Sequence, residues 1–256
     1  MTEIPSVGGY SIDLLIQGFP GKSLENGGLG WSAIMLLRGH GRIVLIDTGS
    51  FSVRQVLLRR LRERGIARTD VTDILLTHSH YDHVMNWNIF PNARVAISSD
   101  ELDWSLAQPI EGSLVAELHM RELAGSSQLR RIQPGEEALP NINSLEMPGH
   151  TPHHLIFLIE DSDARLIVAG DAVKNRAELM SSRGDLTMDA KVSGRSIAAV
   201  KTLWEERPGT ILIAGHDLPM MNVEGSGKLI GTRRAGITAR FSEAFDDETK
   251  FVLSES

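Results

Sequence analysis

The chain has 256 residues, enough for one large domain with a full hydrophobic core and no covalent staples. It contains no cysteine, which excludes disulfides, thiolate metal sites and a cysteine nucleophile, so any metal must be held by nitrogen and oxygen. The formal charge of −7 argues against an extended phosphate-binding surface and hence against a nucleic-acid partner. With no basic leader before an apolar stretch and no uninterrupted apolar run of membrane-spanning length, we expect a soluble, cytoplasmic protein that acts on a small molecule, with a homodimer left open.

In chain order, residues 10–17, 31–37 and 42–49 are rich in Ile, Leu and Val, bounded by glycine, and predict strands. Between the first two, GFPGKSLENGGLG (18–30) has turn chemistry throughout and is expected to be a mobile loop. Residues 50–66 set Val53, Val56, Leu57, Leu61 and Ile66 on one face with arginines opposite. That predicts an amphipathic helix capped by Ser50 and ended by Gly65. TDILLT (72–77) and ARVAIS (93–98) read as strands, 100–108 and 113–124 as helices, and 145–149, 153–161 and 164–173 as strands. A helix over 193–209 is stopped by Pro208 and Gly209, 210–217 is again a buried strand, and the amphipathic tail over 227–247 is expected to be helical. With no repeat or linker, the interleaved elements predict a single α/β domain over residues 1–256.

Directly after the strand at 72–77 comes HSHYDH (78–83). Side chains two apart in extended chain point the same way, so His78 and His80 can converge on one metal ion, while Asp82 and His83, past the bend, can face a second. Imidazole nitrogen with carboxylate oxygen suits zinc, and also iron or manganese. Elsewhere His150, Asp171 and His216 each end an apolar run with a glycine just before them, at the strand ends where α/β sheets gather their ligands.

The order H-x-H-x-D-H, P-G-H-T, G-D-A, G-H-D over residues 78–217, with LIDTG at 45–49, resembles the metallo-β-lactamase superfamily. The resemblance covers about residues 10–220 and implies a four-layer αββα sandwich with the site at the edge between two sheets. It implies that His78, His80 and His150 hold one divalent ion, Asp82, His83 and His216 a second, and that Asp171 bridges them. Two such ions, zinc foremost and Mn²⁺ or Fe²⁺ as alternatives, would share a water and supply a hydroxide nucleophile near neutral pH. Asp82 or Asp171 could then relay a proton to the leaving group. Asp47 is the candidate for orienting a ligand by hydrogen bonding. His40 and His119 are expected to be structural; His153 and His154, at the start of a strand directly after P-G-H-T, are more often structural too, although one of them could touch the site.

Within that family the chain is most similar to the lactonase-like group, which includes N-acyl homoserine lactonases, on the strength of G-D-A, the following LWEERP and G-H-D. We therefore expect a metal-dependent hydrolase opening a lactone or similar cyclic ester or amide. One departure is Lys174, which stands where those lactonases usually carry a substrate-contacting tyrosine; Tyr81 is the alternative phenol. The segment 174–191 reads as a substrate loop offering Lys174, Arg176 and Arg183 for a substrate carboxylate, beside Met180 and Met188. Trp31, Trp87 and Phe90 are candidates for an apolar wall. The chain also resembles the mononuclear iron persulfide dioxygenases and, in its metal motif, the glutathione thioester hydrolases, although only about forty residues follow His216. A metal-binding protein without catalytic activity is the third reading.

Overall fold

Alternation along the strands decides the architecture. In β3 (Ile34–Gly39), Ile34 and Leu36 join one apolar cluster while Met35 and Leu37 join another. The same split recurs in β4 (Arg42–Ile46), β5 (Asp73–Leu75) and β6 (Arg94–Ser98), so every one of these strands is buried on both faces. The computed structural model describes residues 3–25, 27–109 and 113–253. With β1 (Glu3–Val7), β2 (Tyr10–Ile16) and β7 (Leu129–Ile132), these strands form a seven-stranded sheet in sequence order.

The second sheet mirrors the pattern: in β10 (Leu155–Glu160) and β11 (Arg165–Gly170), Phe157, Ile159, Leu166 and Val168 face the first sheet while Ile156, Leu158, Ile167 and Ala169 face away. Its order is β14 (Ser226–Leu229), β13 (Met220–Val223), β12 (Ile211–Ala214), β11, β10, β9 (Ile142–Glu146) and β8 (Glu137–Leu139). Outside the first sheet pack α1 (Arg54–Arg62), α3 (Ser99–Leu106) and α4 (Glu117–Ala124); outside the second lie α5 (Arg176–Ser181) and α6 (Ala190–Glu205). Helix, sheet, sheet and helix make the expected four-layer αββα sandwich. Among the described residues no helix is long and apolar enough to cross a membrane.

Two strand directions concentrate chemistry at one edge. β4 and β5 are parallel, β11 and β12 are parallel, and β9 runs with β11 because both are antiparallel to β10. Their carboxyl ends meet where the Leu155 amide donates to the Thr77 carbonyl and the Ala33 amide to the Gly215 carbonyl, stitching the sheets together.

Several expectations change in detail. The helix expected over 50–66 begins as a 3-10 turn, Phe51–Val53, and Ser50 bonds to the Ser52 hydroxyl instead of capping a backbone amide. Gly65 does end the helical turn, at φ +70. The substrate loop holds the short helix α5, capped by Asn175, and α6 is capped by Asp189, earlier than expected. The tail is not helical: after β14 comes an isolated hairpin of β15 (Gly236–Ala239) and β16 (Thr249–Val252), whose strands are almost wholly exposed. Ile237, Phe241 and Phe245 recur at helical spacing, but all three are exposed, so no core contact holds them in a helix. Residues 18–30 carry only isolated bridges, Phe19 with Trp31 and Lys22 with Gly28, and Asn26 lies outside the described residues.

Candidate metal centre

The strand ends deliver their polar residues as the sequence order suggests. His78 and His80 leave β5 in extended chain, and α2 (Tyr81–Val84) then turns Asp82 and His83 inward. His150 follows β9, Asp171 directly follows β11, and His216 follows β12. Close backbone approach requires the glycines before them. A Cβ on Gly215 would lie 2.1 Å from Asp171 Oδ1, and one on Gly170, at φ +48, 2.8 Å from Thr77 Oγ1.

These residues gather into interlocking sets whose ligand atoms lie within 4.8 Å of one another: His78, His80 and His150; Asp82, His83 and His216; and His78, His83 and Asp171. Asp171 spans the cluster. Its Oδ2 is 3.3 Å from His150 Nε2, while Oδ1 is 3.3 Å from His83 Nε2 and 3.2 Å from His216 Nε2. Asp82 Oδ2 lies 3.3 Å from His216 Nε2.

The donor set fits divalent metal. His78 Nδ1 is 3.1 Å from the Thr77 hydroxyl and His83 Nδ1 is 2.7 Å from Asp47 Oδ2, yet the buried Nε2 of both rings has no hydrogen-bond partner. Buried imidazole nitrogens are seldom left unpaired, and here both belong to the cluster. Asp47, in left-handed conformation at φ +57, also accepts from the Thr77 amide and hydroxyl at 2.9 Å each. It thus fixes the base of the histidine segment and the ring of His83 together.

Charge divides the cluster into two halves. Burial holds His78 and His150 well below the usual imidazole pKa and brings His80 down to about 4, so these rings are neutral and keep a lone pair. Burial presses on His83 and His216 too, but the Asp171 and Asp82 carboxylates outweigh it, raising His83 well above its usual value and His216 to about 10. For Asp82 and Asp171 burial acts upward, and the neighbouring imidazoles His83 and His216 overcome it and keep both carboxyls anionic. The carboxylates draw positive charge into the cluster, and a divalent cation satisfies that demand as a proton does.

A cleft of about 160 Å³ opens onto the cluster, lined by His80, Asp82, His150, Asp171 and His216 on its floor and by Tyr81, Lys174, Asn175, Asp185 and Leu186 around it. Tyr81 is 41% exposed, and burial with the nearby Asp82 raises its pKa, so the phenol keeps its proton. The expected substrate residues need correction. Lys174 lies in the cleft, but its Nζ is 3.1 Å from Glu178 Oε1, so its charge is already compensated. Arg176 and Arg183 are exposed and do not line the cleft. Trp87 and Phe90 are fully buried in the core beneath α1, where an aromatic after the histidine motif fills volume. Trp31 stacks on Phe19 and walls a neighbouring groove. Met180 and Met188 are exposed and also lie off the cleft.

Three supporting residues were missed or only half seen. Glu101 is fully buried on α3 and accepts hydrogen bonds from the Ser79 amide and hydroxyl and from the Thr151 hydroxyl, tying the two histidine-bearing segments together. Glu178 accepts from the Lys174 and Asp185 amides and so shapes the cleft rim. His154 Nε2 accepts from the Asp171 amide at 3.0 Å, while His153 turns outward to Glu146. His40 bonds the Gly8 carbonyl and His119 packs edgewise on Phe51, both structural as expected.

Fold and site together define a metal-binding α/β sandwich of the hydrolase type. The chain belongs to the metallo-β-lactamase superfamily, whose sequence profile matches residues 27–216. Metallo-beta-lactamase domain-containing protein 1 of Xenopus laevis is 28% identical over 214 residues, covering 82% of this chain and 81% of that protein. An N-acyl homoserine lactonase of a Bacillus species is 25% identical over 161 residues, 62% of this chain and 60% of the lactonase. Among solved structures, a probable metal-dependent hydrolase from Staphylococcus aureus matches with a TM-score of 0.73 at 17% identity, covering 88% of this chain and 98% of that one.

Proposed function

We propose that this metallo-hydrolase holds two divalent ions, zinc foremost, and opens a lactone or a similar cyclic ester or amide. The observation that carries the reading is Asp171, which turns one carboxylate oxygen to the His150 side and the other to the His83 and His216 side. On this reading His78, His80 and His150 hold one ion, Asp82, His83 and His216 the other, and Asp171 is shared. Such a pair of ions would polarise the substrate carbonyl and bring a shared water's pKa toward neutrality.

The chain's own groups supply the rest. The Asp82 side chain is partly open to the cleft, and its carboxylate is placed to take a proton and pass it to the leaving oxygen. Tyr81, protonated at the mouth, is positioned to donate to an oxygen of the substrate, the part usually taken by the tyrosine that Lys174 replaces. The Lys174–Glu178 pair removes the main argument for a substrate carboxylate beside the reacting bond. Similarity to an N-acyl homoserine lactonase supports the lactone as the class to try first.

Metal analysis with a lactone, thioester and cyclic-amide panel tests this. We expect close to two ions per chain and turnover of a lactone. One iron per chain with oxygen uptake on glutathione persulfide would instead establish the dioxygenase reading.

A further inference from the structure

Beside the metal cleft runs a second and larger cavity of about 1000 Å³, and the two share Gly28 and Gly30 as a common wall. At Gly30 the wall is closed, since a Cβ there would meet the Phe19 carbonyl at 2.4 Å and the Gly21 backbone at 3.1 Å, and the Leu29 and Trp31 amides bond the Gly21 and Phe19 carbonyls. At Gly28 it is low: among the described residues the only atom near where a Cβ would be is the Tyr81 phenol oxygen, 3.9 Å away, so a ligand seated at the metal cluster can reach the groove over Gly28.

The groove has an apolar floor of Leu14, Ile16, Val56 and Trp31. The Trp31 indole N–H is committed to the Gln17 carbonyl at 2.7 Å, so its ring offers only apolar contact. Along the rim stand Arg59, Arg60, Arg64 and Arg234. In a chain of net charge −7, four arginines on one groove run against the overall balance. Glu63 lies 3.7 Å from Arg59, and Asp13 lies 3.3 Å from Arg64 and also pairs with Arg38; among the described residues Arg60 and Arg234 have no ion pair. Arg60 donates to the carbonyl of Leu15, which also lines the groove. Burial lowers the Arg60 pKa, and the neighbouring Arg59, Arg64 and Arg234 lower it further while Glu63 opposes them.

We propose that this groove binds the non-reacting end of the substrate, an apolar body bearing a carboxylate, with the scissile bond lying across the glycine wall in the metal cleft. The inference rests on the hydrolase reading for the word substrate, but the binding site itself does not. It also relocates the anion contact: the sequence suggested Lys174, Arg176 and Arg183, whereas the structure puts the under-compensated cations on α1 and the segment after β14.

Calorimetric titration with decanoate and its neutral counterpart decanamide tests the site, using zinc-loaded and chelator-stripped protein. Decanoate should bind about tenfold or more tighter than decanamide, through charge-assisted contacts that salt weakens. The preference should survive metal removal and vanish in the double variant Arg59→Glu/Arg234→Glu, with Arg59→Gln/Arg234→Gln giving a partial loss should the reversal misfold. Equal affinity for the two probes, unchanged decanoate binding in both double variants, or binding that disappears with the metal would overturn the proposal. Lactone turnover by the wild type is read separately. Turnover without decanoate preference defeats the groove alone, and preference without turnover of any lactone, thioester or cyclic amide defeats the hydrolase reading alone.

Discussion

His83 Nδ1 lies 2.7 Å from Asp47 Oδ2, and neither residue is reached by more than a trace of water. The bond fixes which nitrogen of His83 faces the metal cluster and which way its ring is turned. Asp47→Asn keeps the size and tolerates the left-handed backbone but loses the charge. We expect metal affinity at the Asp82, His83 and His216 set to fall by about 10–100-fold, read by competition with a graded chelator. Unchanged affinity would show that Thr77, not the imidazole, is the true partner of Asp47.

Gly215 explains why a glycine precedes a ligand. Its missing Cβ leaves room for Asp171 Oδ1, 2.1 Å from where that atom would stand. Gly215→Ala should displace the shared carboxylate and lower both metal content and stability, by about 1–3 kcal/mol for the overpacking. Gly125→Ala, whose Cβ would meet nothing closer than 3.8 Å, serves as the control and should leave metal content unchanged. Equal metal retention in both variants is the result that would count against this reading.

The cluster was legible because each of its members is a ligand-type residue at the end of an apolar run, and strand direction alone carries them to one edge. Glu101 and Glu178 were not legible. Each sits inside a helix, where a lone glutamate reads as solvated; only tertiary packing brings Ser79 and Thr151 to Glu101, and Glu178, four residues after Lys174, is set apart by its burial. Trp87 was misplaced for the converse reason: nearness to the motif in sequence suggested the cleft, but one helical turn points it into the core. In the tail, exposed apolar residues such as Phe241 and Phe251 carry no core signal that could separate hairpin from helix.

Tyr81 and Lys174 make separable contributions. Tyr81 is half-exposed, so Tyr81→Phe should leave melting temperature unchanged while kcat falls by about 10²-fold, the scale of one lost proton donor. Lys174→Met strands the buried Glu178 without its cation, so that variant should lose stability, and Lys174→Met/Glu178→Gln should regain much of it. A Lys174→Met enzyme with wild-type stability and a raised KM only for anionic substrates would restore the carboxylate contact that the pairing argues against.

Chelation should destabilise the chain, because ions that bind the folded cluster and not the open chain add RT ln(1 + [L]/Kd). At a hundredfold excess over Kd that amounts to about 2.7 kcal/mol per ion. Thermal melts with increasing zinc should therefore climb steadily, whereas magnesium, which favours oxygen ligands, should move them little. His78→Ala removes a ligand atom present in two of the three sets and should flatten the zinc response.

Glu101 provides the sharpest test of how the site is held. Its Oε1 accepts from the Ser79 amide and hydroxyl and its Oε2 from Thr151, so one buried carboxylate joins the segment carrying His78 and His80 to the one carrying His150. Burial raises its pKa against the lowering effect of those bonds, which marks a charge kept in the core at some cost. In Glu101→Gln the amide oxygen can keep both Ser79 bonds, and the NH₂ can face a Thr151 hydroxyl turned to accept. That variant should hold its metal and lose about 1 kcal/mol or less. Glu101→Ala orphans three buried donors at about 1–3 kcal/mol each. It should also loosen the His78, His80 and His150 set specifically, seen as one ion lost per chain and a shifted d–d spectrum in cobalt-substituted protein. Should Glu101→Ala lose stability yet keep the full metal content and the cobalt spectrum, Glu101 is a core residue that does not position the ligands.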